Sequence, residues 1–266
     1  MTEAGTSAGG TPHDALLPRA RYAEFAEALG DTPHTAIDRT QIGLGRCRAW
    51  VAGELPGFCA AVVQIDDNPR EVDGYGGDAA ALDALLAQVP DWYCVLVAPP
   101  LAEPLAERLR ARLGCHIRFY GDVAYLAPED GLIRHTHPDV RLLTPADLPL
   151  QASPELQGKG FGGPAALLEQ GYAAGALVDG ALVALAHTCA ITPRFGEIGA
   201  HCLEPFRRRG YVTAAAWLVA ERLYAAGRRP VWSTGEDNWA SQRVAIKLGF
   251  REIGRRVYLI PQRDSP

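Results

Sequence analysis

No stretch of the 266 residues approaches the ~18 consecutive apolar positions that a membrane span requires. The opening residues, MTEAGTSAGGTPH, hold neither the basic nor the apolar region of a secretory leader, so the expectation is a cytoplasmic protein with no membrane partner. The six cysteines (Cys47, Cys59, Cys94, Cys115, Cys189, Cys202) contain no CxxC spacing. That removes zinc ribbons and thioredoxin-type motifs and leaves reduced thiols in the core. His135 and His137 form an HxH pair with no acidic or Cys partner at ligand spacing, which reads as a solvated loop, and no metal site is expected. Gly158 and Lys159 are followed by Gly160 where a phosphate loop needs Ser or Thr, and no glycine lies five residues before Gly158. GLGRCR (43–48) lacks the third glycine and the helix opening of a dinucleotide fingerprint.

What is there is ordinary in bulk and uneven in detail. Hydrophobic residues make up 48% and charged residues 21%, as in soluble globular chains, and the length suits one large or two modest domains. Between Pro205 and Arg263, 12 basic residues face 4 acidic ones, a net of +8 that leaves −13 for the remainder of a chain totalling −5. A basic segment on an acidic body suggests one site for an anionic ligand and another surface that attracts a cation. Nucleic acid is not the expected partner, because the basic segment lacks an aromatic RNP-like pattern or a Cys/His finger.

Periodicity divides the chain. Residues 1–14 read as a flexible tail. Residues 15–137 read as an α/β half: a helix over 16–29, strands over 47–53 and 58–65, a helix over 78–89, a strand over 92–99, a helix over 101–114 closed by Gly114, and a strand or hairpin over 116–127. The turn-rich PEDGLIRHTHPD (128–139) marks the boundary. Residues 138–266 open with a strand and a helix carrying Thr144 as N-cap and Pro145 at its first position. A glycine-rich segment (153–164) and a short helix (165–170) follow. Two alternating runs then meet at Asp179-Gly180, the strongest hairpin signal in the chain.

After the strand EIGAHCL (197–203) comes EPFRRRGYVTAAAWLVAERLYAAG, an Arg-rich turn directly between strand and helix. The first N–H groups of a helix are unpaired and carry the positive end of its dipole, so they can cradle a pyrophosphate. Gly210 would let the backbone come close, and Arg207, Arg208 and Arg209 add charge. A strand (231–234), a helix from Trp239 to Leu248, Gly249 and a last strand complete the chain.

This order, with RRRGYV and NWASQRVAIKLGF, resembles the GNAT superfamily of acyl-CoA-dependent N-acyltransferases. The resemblance covers residues 138–266, about half the chain. It implies a GNAT fold of the α/β (α+β) class: a mixed central sheet flanked by helices, preceded here by an accessory or degenerate GNAT-like half. It implies acetyl-CoA as the acyl donor. Its pyrophosphate would lie on Arg208, Arg209, Gly210, Tyr211, Val212 and Thr213, with Arg207 opening the motif and Lys247 nearby. The pantetheine arm would lie beside Cys202, Leu203, Asn238 and Ser241. Val212 departs from the Gly or Ala of the family pattern.

Catalysis in that family is direct attack of an amine on the thioester, so two groups are needed. Glu197 is the candidate base, directly or through water, because FGEIGAHCL resembles the strand in which histone acetyltransferases carry theirs. His201, on the same strand face, is the alternative. The Tyr that many members use to protonate the leaving thiolate is replaced by Ala245. Ser241 in Asn238-Trp-Ala-Ser241 resembles the serine of the ribosomal-protein N-terminal branch and becomes the candidate instead.

An accessory half followed by such a half is also similar to small-molecule acetyltransferases of the kasugamycin type. The leading expectation is an N-acetyltransferase acting on a primary amine of a small cationic molecule, an aminoglycoside such as kasugamycin being the sharpest version. A protein N-terminal or lysine acetyltransferase and a non-catalytic acyl-CoA-binding domain are the alternatives. The expected partners are acetyl-CoA and the amine, with a homodimer compatible.

Overall fold

The computed structural model describes residues 15–158 and 160–262; the expected tail (1–14), Lys159 and Arg263 lie outside the described residues. Pro18 locks its own φ and holds Leu17 extended. The predicted helix over 16–29 therefore begins late. Leu16 bridges Trp50, Arg19–Arg21 form one 3-10 turn, and α1 spans Tyr22–Leu29. α2 (Ala36–Gly43) was not legible as a helix, since its sequence AIDRTQIG buries polar residues, Asp38, Thr40 and Gln41, as well as apolar ones. The reason is tertiary: Thr40 donates to the Ile191 carbonyl, and Gln41 donates to that of Gly160, both in the second half of the chain.

Strands β1 (Cys47–Ala52) and β2 (Ala60–Ile65) fall where alternation placed them, and β3 (Glu71–Gly76) is an addition. EVDGYG has too few apolar residues to register as a strand. Its Gly74 is wedged where a Cβ would lie 2.9 Å from Val97 Cγ1. α3 (Ala79–Leu86), β4 (Cys94–Val97), α4 (Pro99–Leu113) and β5 (His116–Leu126) complete the first half; β5 is one continuous strand rather than a hairpin. Leu82, Leu85, Leu105 and Leu109 pack α3 and α4 on one face of the sheet.

In the second half, β6 (Val140–Leu142) leads into a 3-10 helix (Pro145–Ala152) opened by a Thr144/Asp147 capping box. α5 (Pro164–Gln170) precedes β7 (Ala173–Val178) and β8 (Ala181–Ile191). Asp179 and Gly180 both take positive φ, 51° and 77°, as the expected tight hairpin turn requires. β9 (Phe195–Cys202), α6 (Tyr211–Ala225), β10 (Arg229–Gly235), α7 (Trp239–Leu248) and β11 (Arg251–Gln262) follow.

All eleven strands form one mixed sheet in the order β1-β2-β3-β4-β11-β5-β10-β9-β8-β7-β6. The centre decides the architecture. β11, the last strand of the second half, lies between β4 and β5 of the first half, while β5 lies between β11 and β10. Each half thus receives one strand from the other. Each also contains one short parallel ladder of three residue pairs, β3 on β4 and β9 on β10. Val219, Leu223, Trp232 and Leu248 bury α6 and α7 against one face. By strand alternation Glu197, Ser233, Asp122 and Arg256 share the other.

Candidate functional site

The β9–β10 ladder ends at the pair Glu197 and Val231. Beyond it β9 follows β8 as far as Cys202, and β10 follows β5 as far as Gly235. The facing edges of β9 and β10 part there, opening a wedge with Glu197 at its apex.

At the mouth of the wedge the chain turns through Glu204–Phe206 into α6. Arg208 and Gly210 both have left-handed backbones, φ 64° and 86°. The first intrahelical bond runs from the Ala214 N–H to the Gly210 carbonyl, so the N–H groups of Tyr211, Val212 and Thr213 point out of the helix end. Gly210 supplies no side-chain cap, and Arg207, Arg208 and Arg209 are exposed around it. Val212 is half-buried against the core, so its side chain stays clear of these amides.

The equivalent turn of the first half is built oppositely. Asp78 caps α3, its carboxylate accepting from the N–H groups of Ala80 (2.8 Å) and Ala81 (3.0 Å). A negative charge already fills that helix end. Of these two turns, the second-half one has no side-chain cap and has arginines beside its helix amides, which suits a diphosphate.

Glu197 is 4% exposed, and its Oε1 accepts from the Ser233 hydroxyl at 2.7 Å. Burial, with a smaller push from Asp122, raises its pKa from 4.5 to about 7, while the Ser233 hydrogen bond pulls the other way. Asp73 ends the corresponding ladder of the first half, but it is paired with the buried guanidinium of Arg256, which also donates to the Leu96 carbonyl at 2.9 Å. One carboxylate is held by an arginine; the other is held by neutral groups of Ser233 and stands near neutrality, where a general base works best.

Glu197 opens on a cavity of about 220 Å³ at the junction of the halves, whose walls include His34, Asp38, Asp73, Asp122 and Tyr258. Burial lifts Asp122 to about 6, against the pull of Arg256, and raises Asp38 well above its usual value. None of these wall residues was named from sequence. For Asp122 the available signal was a lone charge inside an otherwise apolar strand, FYGDVAYL; EVDGYG, with two charges and few apolar residues, offered none.

The other anticipated residues are distributed around the wedge. Ser241 Oγ accepts from the buried Trp232 indole N–H at 2.9 Å, which occupies an oxygen lone pair and leaves the hydroxyl proton to donate elsewhere. Asn238 is the N-cap of α7, accepting from the Ser241 N–H at 3.2 Å. Cys202 and Leu203 are half-buried at the end of β9, where Arg207 Nε donates to the Cys202 carbonyl at 3.3 Å. Tyr211 turns its ring inward, hydrogen bonding Asp139 at 3.4 Å, so only its amide faces the turn. Thr213 is buried and Lys247 is exposed. His201 lies about 13 Å further along β9 than Glu197, exposed and 3.8 Å from Glu155; it does not line the cavity.

A family model described as FR47-like protein matches residues 175–259, the stretch from β7 to β11. Among curated proteins no sequence matches. Solved structures do. A GCN5-related N-acetyltransferase-like protein from Streptococcus suis 89/1591 superposes with a TM-score of 0.65 at 17% identity, over 92% of this chain and 98% of that one. A GCN5-related N-acetyltransferase from Kribbella flavida gives 0.57 at 17% over 90% and 94%. A tandem GNAT protein from the clavulanic acid biosynthesis pathway gives 0.55 at 15% over 95% and 99%. The chain therefore has a GNAT fold, and the tandem protein matches its two-part plan. Among the described residues no helix is long and apolar enough to cross a membrane.

Proposed function

We propose that the protein is an acetyl-CoA-dependent N-acetyltransferase whose acceptor is a small cationic amine. The observation that carries this is Glu197: a buried carboxyl with a pKa of about 7, at the apex of a strand wedge whose mouth holds an uncapped, arginine-flanked helix end. The GNAT-fold neighbours and the FR47-like match support the same chemistry.

In this reading Arg207, Arg208, Arg209 and the amides of residues 211–213 hold the diphosphate of the donor, and the wedge takes its pantetheine arm. The acceptor nitrogen forms a bond to the acyl carbon and the carbon–sulfur bond breaks. The proton lost by the nitrogen passes to Glu197, directly or through water, and the departing thiolate receives a hydrogen bond from Ser241 before it is protonated. An acceptor that arrives as an ammonium first gives up one proton to solvent; the second proton, lost on acyl transfer, balances the one taken up by the thiolate, so each turnover releases one proton overall. His201 is the alternative base; its exposure and distance from the cavity favour Glu197.

A cavity of about 220 Å³ is smaller than the ~300–1,000 Å³ of common drug-sized sites, which favours a compact acceptor or one ring of a larger one over a polypeptide. An aminoglycoside such as kasugamycin fits only by its reacting ring. The test is release of free CoA thiol from acetyl-CoA across aminoglycosides, di- and monoamines, amino acids and N-terminal peptides. Turnover of small amines is expected. Turnover confined to peptides would favour the protein acetyltransferase, and acetyl-CoA binding without thiol release on any acceptor would favour a non-catalytic binder.

A further inference from the structure

The cavity beside Glu197 is lined by more carboxyl groups than proton transfer requires. Asp38 and Glu71 line it together with Asp73, Asp122 and Glu197, against the single cation Arg256, which is engaged by Asp73. Asp38 is only 2% exposed. Its Oδ2 accepts from the Tyr75 hydroxyl at 2.6 Å, but its Oδ1 is buried with no hydrogen-bond partner. A buried carboxylate oxygen without a donor is costly, and the usual remedy is a ligand or ion that supplies one. Among the described residues no three of His, Cys, Asp and Glu group as metal ligands, whereas an ammonium needs only one or two carboxyl partners. Asp122 stands on β5, two strands from Glu197 on β9 and four residues further along in register, on the same face of the sheet and in the wall of the same cavity. Carboxyl groups on separate walls of one cavity of about 220 Å³ suit two nitrogens on one short carbon chain.

We propose that the cavity holds a second ammonium group of the acceptor at Asp38 and Asp122, so that the substrate is a compact diamine acetylated on the nitrogen at Glu197. This rests on the acetyltransferase reading for the transfer step but not for binding. The bond formed is nitrogen to acyl carbon and the bond broken is carbon to sulfur; the second ammonium keeps its protons and serves only to hold the substrate. The neutral carbon chain between the nitrogens would run over Tyr258, whose ring lines the same wall.

The experiment measures binding first, by calorimetry on the full chain, with 1,4-diaminobutane and 1-aminobutane as probes and no acetyl-CoA present. The diamine is expected to bind at least tenfold more tightly. That advantage is expected to collapse in Asp38→Asn and in Asp122→Asn, with far-UV circular dichroism and melting showing which variants are folded. Asp122 is half-buried, so its variant keeps the test open if Asp38→Asn fails to fold. Equal affinities for the two amines, or a diamine advantage that survives in a folded Asp122→Asn protein, would overturn the inference. CoA-thiol release is read separately. Selective diamine binding without thiol release would keep the subsite and remove the transferase reading, and turnover with no preference for diamines would do the reverse.

Discussion

Replacing Glu197 by Gln should make the protein both less active and more stable. The side chain keeps its shape and can still accept from Ser233, so the change removes charge and little else. In the unfolded chain this carboxyl ionises at its ordinary value of 4.5; in the folded protein burial holds it protonated up to about 7. Between those values the native state binds more protons than the unfolded state, so the wild type loses stability as the pH rises through that window. At full ionisation the penalty is about 3 kcal/mol, an upper bound because local relaxation lowers it. Glu197→Gln is therefore expected to match the wild type near pH 4, to gain stability progressively from pH 4.5 to 7, and to hold a constant advantage above that. Removal of a general base should at the same time lower kcat/KM by roughly 10²- to 10⁴-fold, equivalent to about 3–5 kcal/mol in the barrier. Denaturant unfolding at pH 4 and pH 8, with CoA-thiol release on the same preparations, measures both. A stability gain equally large at pH 4 would refute the electrostatic argument, and unchanged kinetics would remove Glu197 as the base.

Gly210→Glu should abolish the thermal stabilisation by acetyl-CoA. The position is open to a Cβ, so the effect comes from φ 86° and from negative charge at the helix end rather than from a clash. Titration of the wild type should give one acetyl-CoA per chain, since Asp78 closes the corresponding helix end; two equivalents would contradict that reading. Ser241→Ala leaves the buried Trp232 indole without its acceptor and should cost about 1–3 kcal/mol, seen as a lower Tm. If the hydroxyl also serves the thiolate, kcat should fall with KM little changed; an unaltered kcat would leave Ser241 as the indole's acceptor alone.

The uncapped, arginine-flanked helix end was legible in the chain because it is local. RRRGYV places glycine, arginines and helix amides within six consecutive residues, and NWAS places a cap and a hydroxyl in one helical turn, as found. Glu197 was legible as a carboxylate inside an apolar strand, but its raised pKa was not, since that comes chiefly from burial in the tertiary structure, with Asp122 of another strand adding to it against the pull of Ser233. The same limit hid α2 and β3. α2 buries polar residues alongside Ala36 and Ile42, and β3 buries only Val72 and Gly74 while its Asp73 answers to Arg256 of the other half, so neither shows a clear hydrophobic period.

Chain order and charge determined that a basic strand-turn-helix unit would follow an acidic α/β half, and the strong hairpin and helix stops followed from Asp179-Gly180, Gly114 and Gly249. Tertiary structure alone decided that β5 and β11 change places between the halves. That exchange carries Asp122 and Arg256 into the centre of one sheet and lets carboxylates from the first half line the cavity beside Glu197. Strand pairing over more than a hundred residues of separation leaves no local trace, because either strand would read the same whichever neighbour it met.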